Sequence, residues 1–134
     1  MRLLPGKRPP DLGVTGGRLK PAPKSPNAVS SQAEDVQHKI APLSYQTLQV
    51  QAIETLAKII EATPRTHIIT RSTDYLYAEY ESALLGFVDD VEFYFEPRTK
   101  LVQVRSALRL GYSDFGVNRA RIEDIRRRLA ASGV

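Results

Sequence analysis

Four residues, His67, Glu79, Glu92 and Arg105, are of types that together handle protons or hold charge. Histidine titrates near neutral pH, and two facing carboxylates repel unless one keeps a proton or a cation joins them. An arginine beside them would steady the remaining charge. Such a row would let His67, or a glutamate with a raised pKa, move a proton, or would bind a cation. The plainer reading of the same row is a solvated ion-pair ladder that adds little stability.

A second set clusters around Gly111-Tyr112-Ser113-Asp114-Phe115-Gly116: Arg109, Ser113, Asp114, Asn118, Arg119 and Arg121, with Arg105 nearby in sequence. If the loop folds back, its guanidiniums surround a helix N-terminus, a place that favours a small phosphorylated or carboxylated anion. Read structurally, Ser113 or Asp114 bonds backbone N–H groups at the helix start, and the arginines neutralise Asp89, Asp90, Asp114 and an acidic sheet. Asp89 and Asp90 are adjacent, so on a strand they point to opposite faces; a turn-capping role suits them better than a carboxylate pair.

Other chemistries find no support. The chain has no cysteine, which removes disulfides, thiolate metal sites and a Cys nucleophile. No nucleophile-elbow pattern and no phosphate-cradling Gly-rich loop is present. His38 has no partner at metal-ligand spacing and reads as a solvated side chain in a polar coil. Neither a metal nor a cofactor is expected.

The elements that must position these residues follow from periodicity. Tyr45, Leu48, Ala52, Leu56, Ile59 and Ile60 recur at helical spacing. They predict a helix capped by Ser44 and stopped near Thr63 by Pro64. Residues 66–71, 75–82, 91–96 and 101–107 are rich in β-branched and aromatic residues and are joined by short connections, which predicts an antiparallel meander. A last helix starts at about Asn118, with Ile122, Ile125 and Leu129 on one face. The fold class is therefore α+β: two layers, a four-stranded antiparallel meander with an N-terminal and a C-terminal helix on one face.

Keeping apolar residues on one face fixes a register for each hairpin. It places Phe95 against Val102, Phe93 against Val104 and Glu92 against Arg105. It pairs Leu76 with Phe95, Ala78 with Phe93 and Glu79 with Glu92. It pairs Ile68 with Ala78, and so His67 with Glu79 and Ile69 with Tyr77. The result is the single row His67–Glu79–Glu92–Arg105 on the face away from the helices.

The 134 residues suffice for one domain with a core. Residues 1–26 carry six Lys/Arg against one acid, residues 27–97 four against eleven, and residues 98–134 nine against three. That segregation suits complementary faces better than a uniform nucleic-acid surface. Six of the nine prolines and four of the eight glycines fall within residues 1–26. Residues 1–20 are therefore expected to form an extended basic arm, mobile at its start, ahead of a single domain over residues 21–134. No apolar run is long enough to span a membrane, and the N-terminus lacks the apolar stretch of a secretory signal, so a cytoplasmic protein is expected.

Several strings occur together in order: Ser25-Pro26-Asn27-Ala28-Val29-Ser30-Ser31, Gly86-Phe87-Val88-Asp89-Asp90-Val91-Glu92-Phe93, Val104-Arg105-Ser106-Ala107-Leu108-Arg109, and Gly111-Tyr112-Ser113-Asp114-Phe115-Gly116-Val117-Asn118-Arg119-Ala120-Arg121. Over roughly residues 20–130 the chain resembles the domain of unknown function 1499, found in bacteria, cyanobacteria and plastids. The resemblance implies a small domain without an established activity. It also implies cysteines in relatives where this chain has Ala22 and Ala28, and a serine where it has Leu108.

The leading expectation is a non-enzymatic binding or accessory domain, acting on an unknown protein or a small anionic ligand, cytoplasmic or peripheral to photosynthetic membranes. The first alternative is a small hydrolase or isomerase built on His67 with Glu79 or Glu92. The second is binding of an anionic surface through the basic arm.

Overall fold

Alternation of side chains on the central strands sorts the chain into two faces, and both faces are buried. A computed structural model describes residues 5–111 and 114–134. The elements in chain order are β1 (Val14–Thr15), β2 (Arg18–Leu19), β3 (Ala28–Ser30), β4 (Leu43–Ser44), α1 (Gln49–Glu61), β5 (Thr66–Arg71), β6 (Tyr75–Glu81), β7 (Val88–Glu96), β8 (Leu101–Leu108) and α2 (Val117–Ala131). β5 to β8 form the expected meander. The sheet is larger than four strands, because β3 and β4 both add antiparallel to the free edge of β8, giving six strands in one sheet. β1 and β2 make a separate two-stranded ribbon.

The two added strands are two and three residues long, too short to show an alternation of their own. Ser44, expected as a helix cap, instead pairs with Leu101 in β4. The first helix starts later, at Gln49, where the Leu48 N–H donates to the Gln51 Oε1. Its buried face is Ala52, Ile53, Leu56, Ala57 and Ile60. α2 contributes Ile122, Ile125 and Leu129. Both helices cover the same sheet face, and their apolar stripes join Leu76, Ala78, Val91, Phe93, Phe95, Val102 and Val104 in one core. The two-layer α+β arrangement is thus present.

The start of α2 is held by Asp114, one of the two residues expected to bond the N–H groups there. The Asp114 carboxylate accepts from the Gly116 and Asn118 N–H groups at 2.9 and 3.1 Å. This supplies acceptors to donors that the helix itself leaves unpaired. Arg119 and Arg126 reach from α2 to backbone carbonyls at Gln37, Lys39, Ala41 and Pro42, pinning the coil that leads into β4.

Registers agree with expectation at β7–β8, where Glu92 faces Arg105, and at the start of β5–β6, where His67 faces Glu79. The β6–β7 register is corrected by two residues: Leu76 faces Phe93, Ala78 faces Val91, Glu79 faces Asp90, and Tyr77 faces Glu92. A slip of two keeps every side chain on its face, so polarity alone does not separate the two registers. An irregularity after Ile68 also moves Thr70, in place of Ile69, opposite Tyr77.

Candidate functional site

The register correction splits the expected row in two. One row is His67–Glu79–Asp90–Ala107, and the other is Tyr77–Glu92–Arg105–Ser30. Three carboxylates, Glu79, Asp90 and Glu92, therefore share the face away from the helices with Arg105 and with Arg109, just beyond β8. The side chains of all five are buried, that of Glu92 completely.

What buries them is the Pro/Gly-rich arm. The Arg8 guanidinium donates to Glu79 Oε2, with Nη2 at 2.7 Å. The Gly13 N–H donates to Glu92 Oε2 at 2.8 Å, and Arg105 reaches the Pro21 carbonyl. Gly6, at φ +69°, lies so close that a Cβ there would stand 3.2 Å from the Arg109 side chain. Glycine's freedom at positive φ and its missing side chain both serve that approach.

Beneath the arm the charges close on one another. Arg109 grips both oxygens of Asp90 and donates to Glu79 at 2.8 Å. Burial works against the Arg109 charge, but hydrogen bonds to Asp90 and Glu79 more than offset it, and its pKa is raised. The Tyr75 hydroxyl donates to Glu92 at 2.6 Å, and the Tyr77 hydroxyl donates to Asp90. Burial, and then these acceptors, push both phenols above their ordinary pKa. Arg105 stands 3.9 Å from Glu92, and burial lowers its pKa. Two sheet arginines face three carboxylates, and Arg8 supplies the third positive charge. His67 takes no part in this closure: its side chain is exposed at the sheet edge.

A different kind of site lies at the other end of β7. Because β7 begins at Val88, Asp89 belongs to the strand and points to the helix side, while Asp90 points under the arm. Asp89 lines a cleft of about 560 Å³ between the loop after α1, the ends of β6 and β8, and the start of α2. Its apolar wall is built from Pro64, Phe87, Leu108, Leu110, Phe115 and Val117. Phe115 is 94% exposed, and Leu110 and Val117 are also exposed.

The polar part of the cleft centres on Arg121. Its guanidinium pairs with Asp89 at 2.7 Å, donates to Asn118 Oδ1 at 2.7 Å and to Ser106 Oγ at 3.2 Å, and stacks 4.6 Å from the centroid of the Tyr80 ring. Burial pushes the Asp89 carboxyl upward against the opposing pull of Arg121. Tyr80 is only 7% exposed, and its hydroxyl has no hydrogen-bond partner among the described residues. Burial pushes that phenol up to about 12. An unpaired buried hydroxyl costs about 1–3 kcal/mol, so a partner for it would be a net gain.

The arginines grouped around the loop by sequence are thus distributed over separate places. Arg109 and Arg105 lie on the armed face, Arg121 in the cleft and Arg119 on the coil before β4. Asp114 and Asn118 organise the start of α2, with Asn118 buried and bonded to Ser106, Arg121 and the Asn27 carbonyl. Ser113 lies outside the described residues. His38, expected in solvent, is buried between the Asp35 carboxylate at 2.6 Å and the Ser25 carbonyl at 2.8 Å. Sequence reasoning passed over Tyr80, Asp89 as a strand residue, and Arg8. The adjacent aspartates carried the one usable signal, since extending their strand by three residues sends them to opposite faces.

Among the described residues no group of three His, Cys, Asp or Glu side chains could hold a metal ion, and no helix is long and apolar enough to cross a membrane. Residues 18–129 match the family described as "Protein of unknown function (DUF1499)", and the chain belongs to that family. A comparison with curated proteins finds no match.

Proposed function

We propose that this member of the DUF1499 family is a non-enzymatic binding domain whose ligand site is the cleft beside Asp89, Arg121 and Tyr80. The observation that carries this reading is the Tyr80 hydroxyl, buried without a described partner beside a wall of exposed apolar side chains. A cleft of that volume suits a small molecule, and an apolar wall with a few polar groups is the usual make-up of such sites.

The acid–base alternative is less well supported. Glu79 already accepts from Arg8 and Arg109, Glu92 accepts from Tyr75 and Gly13, and His67 is exposed at the edge. Binding of an anionic surface through the arm is likewise weakened. Arg8 is drawn to Glu79, Lys20 to Asp11, and Arg18 to the Gln32 carbonyl.

The test is an amide-resolved NMR titration with 1-octanol on the wild type and on Val117→Trp, which would fill the mouth from an exposed helix-start position. Shifts confined to residues 63–65, 80–82, 87–89, 108–111 and 114–125, and lost in Val117→Trp, are expected. Shifts scattered over the surface, or unchanged in Val117→Trp, would overturn the proposal.

A further inference from the structure

The cleft's charges identify the head group it would accept, an inference that rests on the binding role proposed above. Four carboxylates and two guanidiniums line it. Each carboxylate with a described partner is already engaged within the chain. Asp89 is paired with Arg121, Asp114 is spent on the first N–H groups of α2, and Asp124 is bonded to Arg127 and Arg128 at 3.2 and 2.9 Å. Arg65 and Glu81 are joined through their backbones, the Glu81 N–H donating to the Arg65 carbonyl at 2.9 Å, and bring opposite charges to the same part of the rim.

An anionic head would meet a lining with more carboxylates than guanidiniums. To pair with the buried guanidinium it would also have to draw Arg121 away from Asp89, Asn118 and Ser106. A cationic head would compete with Arg121 for Asp89 and stand beside a like charge. Breaking a buried pair in either way leaves an uncompensated charge, which costs far more than one new contact returns. A neutral head avoids both costs. The buried group of the lining that lacks a described partner is the Tyr80 hydroxyl, which needs only an oxygen acceptor.

We propose that the cleft binds a neutral amphiphile, an apolar body ending in an uncharged hydroxyl or carbonyl oxygen, with that oxygen accepting a hydrogen bond from Tyr80. The body lies along Leu108, Leu110, Phe115 and Val117. Fatty acids and alkylammonium ions of the same length are excluded by charge rather than by size.

Three probes with one chain and three heads test this: 1-octanol, octanoate and octylammonium, each titrated into the full chain at pH 7 and followed at the cleft amides. Octanol is expected to bind at least about tenfold more tightly than either ion. Tyr80→Phe, which keeps the ring and removes only the hydroxyl, is expected to weaken octanol about three- to tenfold, the effect of one hydrogen bond. Octanoate or octylammonium binding as tightly as octanol would overturn the neutral-head assignment and leave the site standing. Octanol binding unchanged in Tyr80→Phe would remove Tyr80 as the contact and overturn the assignment as well. Absence of cleft shifts with all three probes would overturn the binding role itself.

Discussion

Asp89 and Asp90 are neighbours on one strand, and they open onto regions built on opposite principles. Asp90 enters a face where three carboxylates, three guanidiniums and two phenols close on one another beneath a strap of backbone. Asp89 enters a cleft where it pairs with Arg121, beside an apolar wall, exposed rim residues and a hydroxyl without a described partner. Charge density alone does not mark a binding site. The armed face leaves Glu92 Oε1 and Arg105 Nε without a described partner but covers them with its own chain, whereas the cleft leaves the Tyr80 hydroxyl unpaired beside exposed apolar rim residues. Buried polar networks that are nearly complete hold a structure in one arrangement. Sites that bind ligands keep something unsatisfied.

The largest test of that contrast is Arg109→Ala. It leaves Asp90 and Glu79 buried with their main cation gone, and loss of one partner from such a network costs about 3–5 kcal/mol. Urea unfolding followed by far-UV circular dichroism should show that loss, and a change below about 1 kcal/mol would mean the face is held chiefly by other groups. A smaller effect is expected from deleting residues 1–18, which removes the Arg8 and Gly13 contacts and exposes Glu79 and Glu92. The thermal midpoint should fall by more than about 5 °C, on the order of 1–2 kcal/mol at this size. An unchanged midpoint would make the strap a passenger.

These two cases also show how far the sequence could be read. The meander, both helices, the β7–β8 register and the sharing of one face by the apolar residues follow from periodicity, because each is decided between near neighbours in the chain. The arm's role was not legible, since Pro and Gly density speaks only of local backbone. What orders the arm, Arg8 on Glu79 and Gly13 on Glu92, joins positions more than seventy residues apart. The β6–β7 register failed for a related reason. A two-residue slip preserves polarity, and the deciding pairs, Tyr77 beside Glu92 and Glu79 beside Asp90, gain their sense only once Tyr75, Arg109 and the arm are in place. The cleft was invisible because its wall comes from four separate loops and helix ends, and its key residue, Tyr80, reads in the strand as one more aromatic.

Acidification should affect Asp89 in a definite sense. Burial raises its folded-state pKa above the unfolded value, so its contribution to stability is full below the unfolded pKa and is lost as pH rises through the folded one. Asp89→Asn removes that dependence. The stability of the wild type relative to Asp89→Asn should therefore decline from about pH 3 towards neutrality. A difference that grows with pH would show that Arg121 outweighs burial, and that the carboxyl is held ionised.

The smallest effect gives the finest test, because one chemical change is made in both regions. Tyr77→Phe removes a hydroxyl that donates to Asp90, leaving a buried acceptor short of a donor at a cost of about 1–3 kcal/mol. Tyr80→Phe removes a hydroxyl that has no described partner, so no acceptor is orphaned and an unmet desolvation cost disappears. The change in stability should be near zero or a gain of up to about 1 kcal/mol. The Tyr80 phenol, pushed up to about 12 by burial, also protects folding only below its unfolded pKa near 10, and that protection is lost as pH rises towards the folded value. Wild-type stability should accordingly fall relative to Tyr80→Phe between about pH 10 and 12. Paired denaturation curves for the two variants at pH 7 decide the matter. Opposite signs would confirm that the Tyr77 hydroxyl is matched within the chain and that the Tyr80 hydroxyl is left for a ligand. Equal losses would mean that Tyr80 has a partner in solution, and the cleft would lose the feature that distinguishes it.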